Sequence, residues 1–437
     1  LHSAKHLDLK MRRIRLIVFA SILHDESSVM NSRADLFAAI RKFTELEIAY
    51  PSVPGTFEDS EGCVSVCFIA TGGTEEIFRR SVSKLPRPIY LLSDGFHNSL
   101  AASFEISTYL NNKGIESTML NVPIDNNPEF YSQMDSILFP SGDEPTASNE
   151  PVKEQKPAER PLTEVPKNVL HYFAKSKIGL VGGASPWLIS SAVDTAGIES
   201  KYGCKFIKIG IQELISLFRL IDDNTVEVTD VVAESEKYLT GDRTKADLIE
   251  AAKMYVAIKR LCAQYELNAV TVKCFDLINT CRTTSCLALS LLNDEGIVAA
   301  CEGDIQSLWS MMYVKGLTSK VSFMVNPAST NREELTVDFA HCSVPLSFVH
   351  GYRLPSHFES STGIGLAGSV PCGRYNILKI AGEKLDIIYS ASGSIIMNTN
   401  VPQRCRTQIR FKFDSAADFD GFITKRTGNH IIIYKED

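Results

Sequence analysis

Two segments of the chain run from apolar stretches into acidic residues. Residues 269–274 (AVTVKC) lead into Asp276, and residues 297–301 (IVAAC) lead into Glu302-Gly303-Asp304. Both stretches have the length and composition of strands. Open α/β sheets bind ligands beyond the carboxyl ends of their strands, so these carboxylates stand where chemistry is done. Carboxylates clustered without basic partners need a cation or a raised pKa. Of the nine histidines, four follow residue 340: His341, His350, His357 and His430. His341 and His430 sit at the edges of apolar strands, and oxygen with imidazole ligands suits a divalent ion such as Mn²⁺ or Mg²⁺. The chemistry implied is acid–base catalysis beside a Lewis acid. Plainer roles compete. Asp304 precedes a helical run at 306–314 that it can cap, and a histidine beside a strand is most often a hydrogen-bonded core residue.

Glycine turns form a second class of candidates. Residues 71–74 (TGGT) and 182–185 (GGAS) each follow an apolar strand and are expected to open a helix. Free backbone N–H groups there favour an anion or a sugar hydroxyl. Neither turn has the GxGxxG or GK[ST] pattern of nucleotide-binding loops. Asp94, His97, Asn98 and Ser99 follow the next strand and suit sugar hydroxyls, although Asn98 or Ser99 would equally cap a helix. Arg404 and Arg406 begin a later strand, where a hydroxyl, an acidic substituent or a solvated strand edge are the alternatives, the last being favoured.

The elements that must position these residues follow from pattern. The chain has 437 residues, 44% hydrophobic and 22% charged, with a net charge of −7. Disorder is excluded by the apolar fraction. No run of about 18 apolar residues spans a membrane, and the mild acidity speaks against nucleic acid as the main partner. The 11 cysteines form no CxxC pair and lie mostly in apolar contexts, which implies buried thiols in a reducing compartment, the cytoplasm. The apolar run at 16–23 after basic residues 10–15 reads as a first buried strand rather than a signal peptide. Strands expected at 14–23, 64–70 and 88–92 alternate with helices at 32–46, 75–85 and 97–113, which implies a parallel sheet. Residues 141–167 are rich in Pro, Glu, Lys and Ser and read as a solvated linker. A second strand–turn–helix pattern begins at 178 and continues through a long helix at 245–266. After residue 319 the apolar period changes from 3.6 to 2, with turns expected at Gly-Glu-Lys and Ser-Gly-Ser. The architecture expected is two parallel-sheet α/β domains, 1–140 and 169–318, then an antiparallel barrel-like β domain, 319–437, with 141–168 as linker.

Residues 286–318, with LLNDEGIVAACEGD at their centre, resemble the core of the L-fucose/L-arabinose isomerase superfamily. ATGGTEEIF and HNSLAASFE resemble the N-terminal domain of L-fucose isomerase-like proteins, GLVGGASPWLISS their second domain, and SHFESSTGIGLAG and GNHIIIY their C-terminal domain. The resemblance implies a cytoplasmic, usually Mn²⁺-dependent aldose–ketose isomerase that works on a free sugar as a homo-oligomer such as a hexamer. It implies Asp276, Glu302 and Asp304 as catalytic acids and Asp276, Asp304, His341 and His430 as metal ligands. Beside these, Thr71, Gly72, Gly73, His97, Asn98, Trp187, His357 and Arg406 are the candidate substrate-binding residues. One departure stands out: the arabinose branch carries a second catalytic glutamate where this chain has Val325. Either Asp276 serves instead, or the chain is a catalytically impaired sugar-binding or regulatory relative.

Overall fold

A computed structural model describes residues 13–121 and 161–436 apart from residues 23, 43, 54, 59–61, 426 and 427, together with residues 134, 137 and 138. Strands β1 (Arg13–Phe19), β2 (Leu46–Ala49), β3 (Cys63–Ile69), β4 (Ile89–Ser93) and β5 (Ser117–Asn121) form one sheet in the order β2-β1-β3-β4-β5. Every neighbouring pair is parallel. A second parallel sheet contains β6 (Lys177–Val181), β7 (Lys205–Ile209), β8 (Ala269–Val272) and β9 (Val298–Ala300) in the order β7-β6-β8-β9. Six of the seven residues of β1 and all of β8 and β9 are buried. Helices cover both faces of such sheets, which is why these strands read as continuous apolar runs rather than alternations.

The period-2 region closes into a barrel. Strands β10 (Phe323–Asn331), β11 (Thr336–His341), β14 (Gly373–Ala381), β15 (Ile387–Asn398), β16 (Thr407–Phe413) and β17 (Ile431–Lys435) pair in the order β10-β11-β16-β15-β14-β17, closed on itself. A separate two-stranded sheet joins β12 (Gly351–Arg353) to β13 (Ala367–Ser369). The fold is thus two parallel α/β sheets followed by a six-stranded antiparallel barrel. No helix of the described residues is long and apolar enough to cross a membrane.

Several local expectations are corrected. Ser-Gly-Ser at 392–394 is not a turn but the middle of the long strand β15. A Cβ on Gly393 would lie 2.2 Å from the Lys412 carbonyl oxygen, so glycine there permits close strand approach. Residues 343–354 add no barrel strand; they hold a 3₁₀ turn, Leu346–Phe348, and β12. The helix expected at 32–46 ends at Arg41, and Leu46 already opens β2. The turn at 182–185 does not open a helix directly, because the next one is Thr195–Tyr202. Of the expected linker, residues 141–160 lie outside the described residues; beyond them, the Leu162 N–H donates to the Asp386 carbonyl at 2.7 Å.

The first sheet and the barrel meet beside the site. Arg404 is 2% exposed, so the solvated strand edge expected for it is wrong. Its guanidinium pairs with Asp338 at 2.7 Å and donates to the Gly95 carbonyl at 2.8 Å, just beyond β4. The His97 N–H donates to the Gln403 carbonyl at 2.9 Å across the same junction.

Candidate metal centre and adjoining pocket

Strand β9 ends at Ala300, and the chain then turns sharply. Glu302 and Gly303 both take left-handed backbone angles, with φ of 64° and 71°. For a glutamate that conformation is disfavoured and persists where the surroundings impose it, as at functional sites. Gly303 is needed for a different reason. A Cβ there would lie 2.1 Å from the Gly183 carbonyl oxygen, so the β9 turn packs directly on the turn after β6. The Ser185 N–H donates to the Glu302 carbonyl at 3.0 Å and fixes the same contact. Cys274 and Cys301 are buried beneath it, with their sulfurs 2.9 Å apart.

The Glu302 carboxylate meets two histidines delivered by the barrel. His341 ends β11 and His430 immediately precedes β17. One ligand atom from each of Glu302, His341 and His430 falls within 4.8 Å of the others, and all three residues are buried. Each side chain is held from behind. Trp187 Nε1 donates to Glu302 Oε2 at 2.5 Å, Ser343 Oγ lies 2.9 Å from His341 Nδ1, and Asp304 Oδ2 lies 2.9 Å from His430 Nδ1. The free atom of His430 is Nε2, which is buried without a hydrogen-bond partner and stands 3.5 Å from Glu302 Oε1. Buried polar atoms are rarely left unpaired, and a histidine bound to a carboxylate through one nitrogen commonly binds metal through the other. The donor set, one carboxylate and two imidazoles, fits a divalent transition-metal ion.

The two carboxylates draw positive charge into the group. Burial would lower His430, but Glu302 and Asp304 outweigh it and push the imidazole up to about 9. His341, buried and facing His430, is pushed down to about 3 and so presents a neutral ring. Glu302 is held below the ordinary carboxylate value against burial, chiefly by His430. Asp304 is likewise held low against burial, by Lys379 and His430. Asp304 also caps the helix Ile305–Thr318, accepting from the Ser307 N–H at 2.8 Å. Lys379, wholly buried on β14, lies 3.5 Å from Asp304 and donates to Ser307 Oγ at 2.9 Å. Asp304 thus combines the capping role with support of a histidine.

Asp276 is not brought to this group. It lies in the first turn of the helix Phe275–Cys281, with its side chain 39% exposed and paired to Lys273 at 3.0 Å. Val325 is wholly buried in β10.

A pocket opens beside Glu302 and is lined from all three sheets. Gly72, Gly73 and Asn98 come from the first, Trp187 and Phe275 from the second, and Asn326 and Asn429 from the barrel. Two further carboxyls, Glu75 and Glu359, also line it. Glu359 receives a hydrogen bond from Asn98 Nδ2 at 2.5 Å and an ion pair from His24 Nε2 at 2.5 Å. Glu75 is 2% exposed; burial, reinforced by Glu105 and Glu302, raises its carboxyl well above the ordinary range.

The other sequence candidates surround this pocket. Thr71 is buried and accepts from the Ser21 N–H at 2.8 Å. His97 sits behind Asn98, its Nδ1 3.1 Å from Arg33 and its ring against Phe358. Asp94 is bound by Arg33 at 2.8 Å, and Ser99 Oγ accepts from the Asp94 N–H at 2.9 Å. His357 is buried with Nδ1 3.0 Å from Ser360 Oγ and its ring against Phe275; burial, with Arg406, lowers it to about 4. Arg406 donates to the Ser356 carbonyl at 2.7 Å and lines a different cleft, with Arg353 and Asp242. Sequence reasoning passed over Glu75, Glu359, Asn326, Asn429 and Lys379. Only Lys379 carried a signal, since it shares the strand face of the apolar residues Tyr375 and Ile377.

No family model matches the chain. It is 25% identical over 237 residues to a sulfoquinovose isomerase of Alkalicoccus urumqiensis, covering 50% of this chain and 53% of that protein. It is 27% identical over 177 residues to a sulfoquinovose isomerase of Priestia aryabhattai, covering 40% of this chain and 39% of that protein. The matched region therefore spans about half the length of the first relative and about two fifths of the second. This is distant homology to sugar isomerases.

Proposed function

We propose that the chain is a metal-dependent aldose–ketose isomerase that interconverts a free aldose of the fucose or arabinose kind with its ketose through an enediol. The observation that carries this is the buried Glu302, His341 and His430 group opening onto a pocket of carboxyl and amide side chains. The distant similarity to sulfoquinovose isomerases supports it independently.

Glu302, His341 and His430 would hold the divalent ion, with Mn²⁺ as the proposed metal. When bound, such an ion polarises the sugar carbonyl and stabilises the negative charge that develops on its oxygen. The chain's own groups do the rest. Glu302, ionised at neutral pH, is the base for the proton on C2, a role worth about 10²–10⁴ in rate. Its Oε1 faces His430 Nε2 and would meet the ion, so the proton goes to Oε2, which the Trp187 N–H orients while leaving it a second lone pair. Asp304 fixes His430 by accepting at Nδ1. Asn326 and Asn429 are placed to hold sugar hydroxyls, and Phe275 offers an apolar wall. A homo-oligomeric, cytoplasmic enzyme is part of the same proposal.

The test is incubation with Mn²⁺ and a panel of L-fucose, D- and L-arabinose and related aldoses, with ketose formation followed over time. Metal-dependent turnover on one member is expected. Folded, metal-loaded protein that converts none of them contradicts the proposal. Sugar binding by calorimetry without turnover would identify the impaired binding protein that Val325 brings to mind.

A further inference from the structure

Ketose formation moves two protons, one on carbon and one on oxygen. Glu302 accounts for the first. A second group must face the same pocket and carry a proton to give. Glu75 meets both requirements. It lines the pocket with Glu302 and Trp187 and is 2% exposed. Its Oε2 has no hydrogen-bond partner. The charged side chains acting on it are both acids, Glu105 and Glu302. Backbone N–H groups of Thr74 and Glu75 favour the ionised form, but burial outweighs them, so an ionised carboxylate in that position is costly. A protonated carboxyl avoids the cost and leaves an O–H to donate. An unpaired buried polar atom beside a reacting centre calls for a bound partner, and a sugar oxygen supplies one.

We propose that Glu75 is the proton donor to the carbonyl oxygen of the bound aldose, acting opposite Glu302. The inference rests on the isomerase reading above. In the first half-reaction Glu302 takes the proton from C2. The C2–H electron pair forms the C1=C2 bond, the C1=O1 π pair moves to O1, and O1 takes the Glu75 proton to give the enediol. In the second half the Glu75 carboxylate takes the proton from the O2 hydroxyl. The O2–H pair forms C2=O2, and C1 takes the proton held by Glu302. Both carboxyls return to their starting states, and no oxidant or reductant is used.

Glu75→Gln tests this, because it keeps size and hydrogen bonding but cannot cycle a proton. Thermal unfolding at low pH and calorimetric binding of the matching alditol should change little, while kcat at neutral pH falls about 10²–10³-fold. An infrared difference spectrum at neutral pH, taken without metal or sugar, should lose one protonated-carboxyl band on substitution. Glu75→Asp, which keeps a carboxyl, should retain more activity than Glu75→Gln; a purely structural role predicts the reverse, because Gln is the closer fit. Added formate should restore part of kcat to Glu75→Ala. Unchanged kcat in Glu75→Gln with an active wild type would overturn the inference and leave the isomerase reading intact. So would a difference spectrum that loses no protonated band. A wild type inert on every aldose removes both.

Discussion

Replacing Asp304 by Asn separates metal chemistry from folding stability. Asp304 caps the helix Ile305–Thr318, lies 2.9 Å from His430 Nδ1 and faces the Lys379 ammonium at 3.5 Å, with both charged side chains 0% exposed. Asn is as good a helix cap as Asp, so the cap survives. The charge does not. Stranding a buried lysine in this way costs about 3–5 kcal/mol. Losing the carboxylate behind a ligand histidine lowers metal affinity about 10–100-fold. The two effects part in the double variant Asp304→Asn with Lys379→Met. Met removes the stranded charge while filling the space, so most of the stability returns, whereas metal affinity stays low. Urea unfolding measures the first effect, and calorimetric titration of the metal-free protein with Mn²⁺ measures the second. Should Asp304→Asn unfold at the wild-type midpoint and bind Mn²⁺ with wild-type affinity, the role given to Asp304 behind His430 is refuted.

Other outcomes follow from the same geometry. Trp187 donates to Glu302, so Mn²⁺ should quench its fluorescence in a Trp309→Phe background; no change on titration would argue against metal at Glu302. Gly303→Ala should lose at least about 1–2 kcal/mol from its left-handed backbone alone, and more from the contact with Gly183, while weakening Mn²⁺ binding. Wild-type stability and affinity there would contradict the close packing of the two turns. Glu75 has a raised folded pKa. The stability it contributes is fully present below its ordinary value of 4.5 and is lost as pH rises toward the folded value. Glu75→Gln, which cannot ionise, should therefore match wild type at low pH and gain on it as pH rises; parallel pH profiles in denaturant unfolding would show that Glu75 titrates normally.

Much of the framework is legible in the sequence because period and burial are local. The strands β3, β8 and β9 announce themselves as apolar runs, and the switch to period 2 after residue 319 marks the barrel. The errors fall where distant contacts decide. Gly393 looks like a turn residue until Phe411 and Lys412 are seen against it. Arg404 looks like a solvated edge until Asp338 and Gly95 enclose it. At the site, Glu302, His341 and His430 were visible by type and placement, and the structure brings these three together. Asp276 has the same sequence signature as Glu302, an acid after a buried strand, yet it lies in the first turn of a helix with its half-exposed side chain paired to Lys273. Asp304 shares the signature too, and the structure sets its carboxylate against His430 Nδ1 and at the head of a helix. Glu75 and Glu359 follow no pattern that spacing can reveal, since the pocket that defines them is assembled from all three sheets.

The most direct measurement is a crystal structure of the protein grown with Mn²⁺, with anomalous scattering used to locate the metal. A single ion should be bonded to Glu302, His341 and His430 at about 2–2.6 Å, with Asp304 behind His430 and an open coordination position facing the pocket. A folded protein with no ion there, or with manganese bound at Asp276 instead, would contradict the proposed centre.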